Sequence, residues 1–292
     1  MKILCPVDFS PASKHALGAA VAIAMQTGAE LVLLHAWFLP IAYAGELGYP
    51  ADATAGMIGD AEALLKTDVA WAKEHGVPHV TSLLLGGPPS PAMVTILEED
   101  RAFELVVMGT NGRTGLSRLV LGSVAAQTIR HAPCSVLAIH PSDPMPTFRS
   151  ILCPLDFSDS AQVGLDLALR LVQPGGRGLE LLHVIELPVA YSGTPSVDEF
   201  ARDLYTSVLV RLEQTATATR ERTSVAVTID TQTGAPGAAL VAAIAARVPP
   251  FDIAILGSHG RTGLRRFALG SVAEKVVRHA TCPVLIARQR SA

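Results

Sequence analysis

The chain has 292 residues, 49% of them hydrophobic and 17% charged, with a formal net charge of −3. That length suits two domains that each bury a core, the apolar content excludes a disordered chain, and the balance of charge gives no general attraction to nucleic acid or to a membrane surface. The balance is uneven along the chain: residues 1–148 hold 8 Lys+Arg against 13 Asp+Glu, and residues 149–292 hold 15 against 13. Met1-Lys2 is followed by only five uncharged residues before Asp8, and the apolar run Ala16 to Met25 is too short to span a bilayer. A cytoplasmic location without a secretory signal is therefore expected. The four cysteines form no C-x-x-C pair and read as small buried thiols rather than a disulfide framework.

Taken in order, the first half alternates strand and helix. Lys2 to Val7 is a short apolar strand. Ser10 is a good N-cap with Pro11 suited to the first helical position, and that helix runs to about Thr27, where Gly28 ends it. Glu30 to Trp37 is a near-continuous apolar strand. A loop bearing Pro40, Tyr43 and Gly45 leads to a helix from about Ala55 to His75. His79 to Leu85, a short helix over Pro91 to Arg101, and Glu104 to Met108 follow. After a glycine-bearing loop come a helix from Ser123 to His131 and a fifth strand, Ser135 to Ile139.

The second half repeats the first. Leu4-Cys-Pro-Val-Asp8-Phe-Ser10 returns as Leu152-Cys-Pro-Leu-Asp156-Phe-Ser158, and Leu33-Leu34-His35 returns as Leu181-Leu182-His183, each offset by 148 residues. The second helix of this half is longer, about Val197 to Arg222. The proline-rich stretch Pro141 to Pro146 reads as the linker, which gives domains at 1–140 and 149–292. Alternating βα units with strands apolar on both faces imply a parallel sheet covered by helices. Ligands of such sheets lie at the carboxyl ends of the strands.

The stretch with the most chemistry is Gly109-Thr-Asn-Gly112-Arg113 through Gly122-Ser123. It recurs as Gly257-Ser-His-Gly260-Arg261 through Gly270-Ser271. Both read G-x2-G-x9-G-S, between an apolar strand and a helix start. Glycine lets an anion approach the backbone, and a helix start offers unpaired N–H groups and the positive end of its dipole. Phosphate is the expected ligand. The G-x4-G-K-[ST] loop is absent, and no G-x-G-x-x-G follows the first strand, which excludes the commoner nucleotide loops. His35 and His183 have no second ligand at metal-binding spacing, so each is expected to pack and bond a backbone group.

These loops, with an Asp at the end of the first strand, resemble the ATP-binding branch of the universal stress proteins over nearly the whole chain, twice. The resemblance implies two tandem Rossmann-like α/β domains, each with a five-stranded parallel sheet in the order 3-2-1-4-5 flanked by helices. It implies that Pro6, Val7 and Asp8, and Pro154, Leu155 and Asp156, meet adenine and ribose, and that Ala36 and Val184 touch adenine. Gly109, Gly112, Gly122, Ser123 and Val124, and Gly257, Gly260, Gly270, Ser271 and Val272, would hold the phosphates, joined by Arg113 and Arg261. Ser123 and Ser271 would also cap their helices. The expected cofactor is ATP, with Mg2+ held mainly by the phosphates, and no residue-bound metal. The resemblance also implies pairing of the halves through strand five of each as an intrachain pseudo-dimer, with a homodimer as a further option.

Phosphoryl transfer needs a base or water-orienting group, and none stands beside the loops. The expected function is therefore regulatory ATP binding rather than rapid turnover, and the resemblance implies that it serves a stress response. A slow ATPase, an adenylate-transferring enzyme on the same fold, and an interaction module with vestigial sites are the alternatives. The second loop carries His259 and Arg265, alongside Arg266, where the first has Asn111 and Ser117, so the second site is expected to bind at least as tightly.

Overall fold

The computed structural model describes residues 1–38, 51–111, 121–186, 195–260 and 269–289, with the backbone alone for 51–53 and 195–198. The chain separates into two compact units, Met1–Ser142 and Asp143–Gln289. Each is an α/β fold of the Rossmann-like kind built on parallel strand pairs.

The first unit contains strands β1 (Lys2–Pro6), β2 (Glu30–Trp37), β3 (Val80–Gly86), β4 (Phe103–Gly109) and β5 (Ser135–Ile139), with helices α1 (Pro11–Thr27), α2 (Ala51–Glu74), α3 (Pro89–Glu99) and α4 (Ser123–His131). Within the unit the strands lie in the order β3-β2-β1-β4-β5. Chain direction across the sheet reverses its progress at β1, which pairs with β2 on one side and β4 on the other. The carboxyl ends of β1 and β4 are therefore neighbours, and a crevice opens where the crossovers diverge.

Local sequence accounts for the elements. Ser10 caps α1 by accepting from the Ser13 N–H, and Gly28 closes it in the left-handed conformation at φ 67°. The inner face of α1 is lined by Ala12, Ala16, Ala19, Ala20 and Ile23, all buried; small residues let the helix lie close to the sheet. Helix α2 starts at Ala51 rather than Ala55, and α3 spans Pro89–Glu99 rather than Pro91–Arg101. Two prolines fit the first turn of α3, where the missing N–H costs no helical bond. The exit follows at Asp100, whose Oδ1 accepts from the Ala102 N–H at 2.9 Å.

The second unit contains β6 (Ser150–Pro154), α5 (Asp159–Leu171), β7 (Gly178–Ile185), α6 (Pro195–Arg220), β8 (Val227–Thr233), α7 (Pro236–Ala246), β9 (Ile253–Gly257), α8 (Ser271–His279) and β10 (Val284–Ala287). Its strands lie in the order β8-β7-β6-β9-β10.

The expectation of strands apolar on both faces holds at the centre and fails at the margin. All eight residues of β7 are buried, whereas β3 and β8 leave most of theirs exposed or half-exposed. Both are the outermost strands of their unit's order, and they carry Thr81, Ser82, Thr228 and Gln232 there. At the opposite end of the sheet from the crevice, a cation covers the phenylalanine near the start of the fourth strand of each unit. Lys2 lies 4.9 Å from the Phe103 ring and donates to Asp100 at 2.9 Å. In the second unit Arg177 and Arg247 flank Phe251 at 5.2 and 5.3 Å, and Arg247 also pairs with the buried Glu180. The four cysteines are buried and outside any disulfide. Burial pushes the Cys153 thiol up to about 12, and the Cys5 thiol rises for the same reason.

Candidate functional site

The crevice of each unit starts at the Asp that follows the first strand. Asp8 Oδ1 accepts from the Ser10 N–H at 3.1 Å and from the Ser10 hydroxyl at 2.5 Å. Asp156 Oδ1 does the same with Ser158, at 3.0 and 2.5 Å. The residue between, Phe9 or Phe157, has a left-handed backbone at φ 65° or 62°. That conformation is disfavoured for an aromatic residue, and here each ring stacks on a histidine. Phe9 lies 4.5 Å from His35 and Phe157 lies 4.8 Å from His183.

The histidines explain the fixed geometry. His35 Nδ1 bonds the Val7 carbonyl at 2.7 Å, and His183 Nδ1 bonds the Leu155 carbonyl at 2.5 Å. Both are buried. They bond backbone groups, as the sequence suggests. The N–H groups of Val7 and Leu155 donate to Leu34 and Leu182 at 2.8 Å. The N–H groups of Val7 and Leu155 are thus taken up by the sheet and one lone pair of each carbonyl by the histidine, which fixes the backbone before the Asp. Pro6, Pro154 and Ala36 are half-buried at strand ends, while Val184 is buried.

The loop after the fourth strand meets this Asp. In the second unit, a Cβ on Gly260 would lie 2.8 Å from Asp156 Oδ2. A side chain there would push the carboxylate out of this position. Gly257 and Gly109 each have a packing role. A Cβ on Gly257 would lie 2.5 Å from the backbone of Ser160, and one on Gly109 would lie 3.0 Å from the Ala12 carbonyl. These two glycines admit the first turn of α5 and α1, so the fold requires them whether or not a phosphate is bound.

The far end of each loop returns to the strand. The Gly122 N–H donates to the Thr110 carbonyl, and the Gly270 N–H to the Ser258 carbonyl, both at 2.8 Å. Gly122 and Gly270 are the N-caps of α4 and α8, with no side-chain cap bond among the described residues. The expectation that Ser123 and Ser271 cap these helices is corrected: each occupies the first helical position and is exposed. A glycine cap cannot satisfy the first-turn N–H groups. The helix starts therefore present donors, with Val124 and Val272 half-buried behind them.

The units differ inside the loop. In the second, Ser258 Oγ and His259 Nδ1 are 2.6 Å apart, and the His259 N–H donates to Ser160 Oγ at 3.2 Å. In the first, Thr110 donates to Asn111 Oδ1 at 2.9 Å, and Ala12 stands where Ser160 would be. Arg211 of α6 lies 4.3 Å over the Phe157 ring. Sequence reasoning did not single out Phe9, Phe157, Ser160 or Arg211 for the site, nor Ser10 and Ser158 as partners of the Asp. The repeated Asp-Phe-Ser triplet was the available signal. Gly112, Arg113, Arg261, Tyr43, Ser117, Arg265 and Arg266 lie outside the described residues.

The family model described as the universal stress protein family matches residues 1–140 and again 147–288. The chain belongs to the universal stress protein family. It is 32% identical over 221 residues to universal stress protein Rv2005c of Mycobacterium tuberculosis, covering 72% of this chain and 69% of that one. Universal stress protein Rv2623 of the same species is 28% identical over 297 residues, covering 98% of this chain and 96% of its own. A universal stress protein from Archaeoglobus fulgidus shares the fold along 98% of both chains, with a TM-score of 0.69 at 21% identity. Among the described residues no helix is long and apolar enough to cross a membrane.

Proposed function

We propose that each unit of this universal stress protein binds ATP at the carboxyl edge of its sheet, and that binding serves regulation in a stress response rather than rapid turnover. The supporting observation is the approach of Asp156 Oδ2 to Gly260. It joins an acceptor suited to ribose hydroxyls to a loop that leads to a helix start capped by glycine, the kind of terminus that can receive an anion. Ribose and adenine would lie over Asp8 and Ala36 in the first unit and over Asp156 and Val184 in the second. The phosphates would lie along Gly112, Gly122, Ser123 and Val124, and along Gly260, Gly270, Ser271 and Val272, with Arg113 and Arg261 as further anion partners. Gly109 and Gly257 would shape the loop without touching the ligand.

Among the described residues no group of three or more His, Cys, Asp or Glu is placed to hold a metal ion. In this proposal Mg2+ would arrive on the nucleotide and be held mainly by its phosphates. The same proposal has β5 and β10, each at the end of its unit's strand order, as the edges through which the halves pair, since exposed edges seek cover. It places the protein in the cytoplasm.

Calorimetric titration of the full chain with ATP and Mg2+ tests the binding claim. Two sites per chain are expected, and Asp156→Ala removes one of them. No binding of ATP at either site overturns the proposal and leaves a protein-interaction role.

A further inference from the structure

We propose that Ser10 and Ser158 are positioning residues for ribose recognition: each holds the carboxylate of Asp8 or Asp156 in place with a hydroxyl that does not itself touch the ligand. This rests on the proposed ATP site.

The bond directions carry the inference. Ser10 Oγ accepts from the Ser13 N–H at 3.2 Å, and Ser158 Oγ accepts from the Ala161 N–H at 3.2 Å. A hydroxyl has one proton. With an oxygen lone pair turned toward the helix, that proton points along the 2.5 Å contact to Asp8 Oδ1 or Asp156 Oδ1. The serine N–H adds a second donor to the same oxygen. One carboxylate oxygen is thereby anchored from two sides, and the plane of the other is set. In the second unit that other oxygen, Oδ2, points to the loop at Gly260.

The backbone is locked from the other side. The Phe between Asp and Ser is held in the left-handed conformation that its side chain disfavours, and it stacks on a histidine tied to the residue before the Asp. The same arrangement of Asp, Phe, Ser and His occurs in both units, 148 residues apart. A helix cap alone needs neither the strained Phe nor the Asp.

A ribose hydroxyl donates to a carboxylate well only if the carboxylate cannot rotate away. Losing the anchor should therefore reduce the distinction between ATP and its deoxy forms more than it reduces the binding common to all of them. The test is titration of the full chain with ATP, 2′-deoxy-ATP and 3′-deoxy-ATP. The wild type is expected to prefer ATP over at least one deoxy form by about tenfold, the value of a hydrogen bond to a charged group. Ser10→Ala/Ser158→Ala is expected to lower that ratio by about threefold or more. Ser10→Thr/Ser158→Thr, which keeps the hydroxyl, is expected to restore it. Ser10→Gly/Ser158→Gly retains a competent N-cap and is expected to behave as the alanine variant.

Equal weakening of all three nucleotides in the alanine and glycine variants would mean that the serines are caps only, and overturns the inference while the ATP site stands. An unchanged ratio overturns it in the same way. A wild-type chain that binds none of the three overturns the site and the inference together.

Discussion

Asp156 Oδ2 lies 2.8 Å from the point where a Cβ on Gly260 would sit, so the carboxylate of one repeated motif fills the space left by the glycine of the other. The two motifs are far apart in sequence and meet because β6 and β9 are adjacent parallel strands. The contact involves the far end of a flexible side chain. Gly260→Ala should therefore displace the carboxylate without harming the fold. The expected outcome is a urea midpoint close to wild type and second-site ATP affinity lower by about tenfold or more, the loss of a charged hydrogen bond. Denaturation and titration on the same preparation check both.

Gly257→Ala should behave in the opposite way. Its added carbon meets backbone atoms of Ser160 at 2.5 and 2.6 Å, which cannot yield without moving α5 off the sheet. Overpacking of this kind costs about 1–3 kcal/mol. Gly109→Ala meets Ala12 at 3.0 Å and should cost less. Urea unfolding of the three glycine variants separates packing glycines from ligand-facing ones.

Thr128 on α4 is fully buried, and its Oγ1 has no hydrogen-bond partner among the described residues. The residue 148 positions later is Val276, also fully buried. Thr128→Val replaces an unsatisfied hydroxyl by a methyl of similar shape and should stabilise the chain by about 1 kcal/mol. A lower urea midpoint for the variant would contradict this account of the position.

The thiols give stability a pH dependence whose sign is fixed. An ordinary thiol titrates near 9, whereas burial pushes Cys153 to about 12. Above the ordinary value the unfolded chain loses a proton that the folded chain keeps, so stability falls as pH rises from about 9 toward 12. Each such thiol contributes a slope of about 1.4 kcal/mol per pH unit in that window. Cys153→Ala should show a shallower decline between about pH 9 and about pH 10.5 than wild type, measured by urea unfolding. Parallel declines would show that this thiol does not contribute.

Much of the fold was legible because the chain states it twice. Ser10, Pro11 and Gly28 mark the ends of α1 by known capping chemistry, and the offset of 148 aligns each Asp with its glycine loop. Other features were hidden for physical reasons. A left-handed Phe9 runs against its intrinsic preference, and the stack on His35 of β2 that accompanies it is a long-range contact no local pattern encodes. Ser123 reads as a cap by residue type, yet the chain enters α4 through Gly122, whose N–H donates to Thr110 across the loop. The packing role of Gly109 depends on how close α1 lies to β4, a distance no local pattern encodes.

The most direct measurement is the nucleotide content of the protein itself. The full chain is purified without added ATP, denatured, and the released nucleotide counted per chain by chromatography, for wild type and for variants with a bulky residue at Gly112 or Gly260. The expected result is about two adenine nucleotides per chain, falling by one with each substitution, as a loop and helix-start phosphate site in each unit would supply. No nucleotide in the wild type, and none retained after incubation with ATP and Mg2+, would contradict the account.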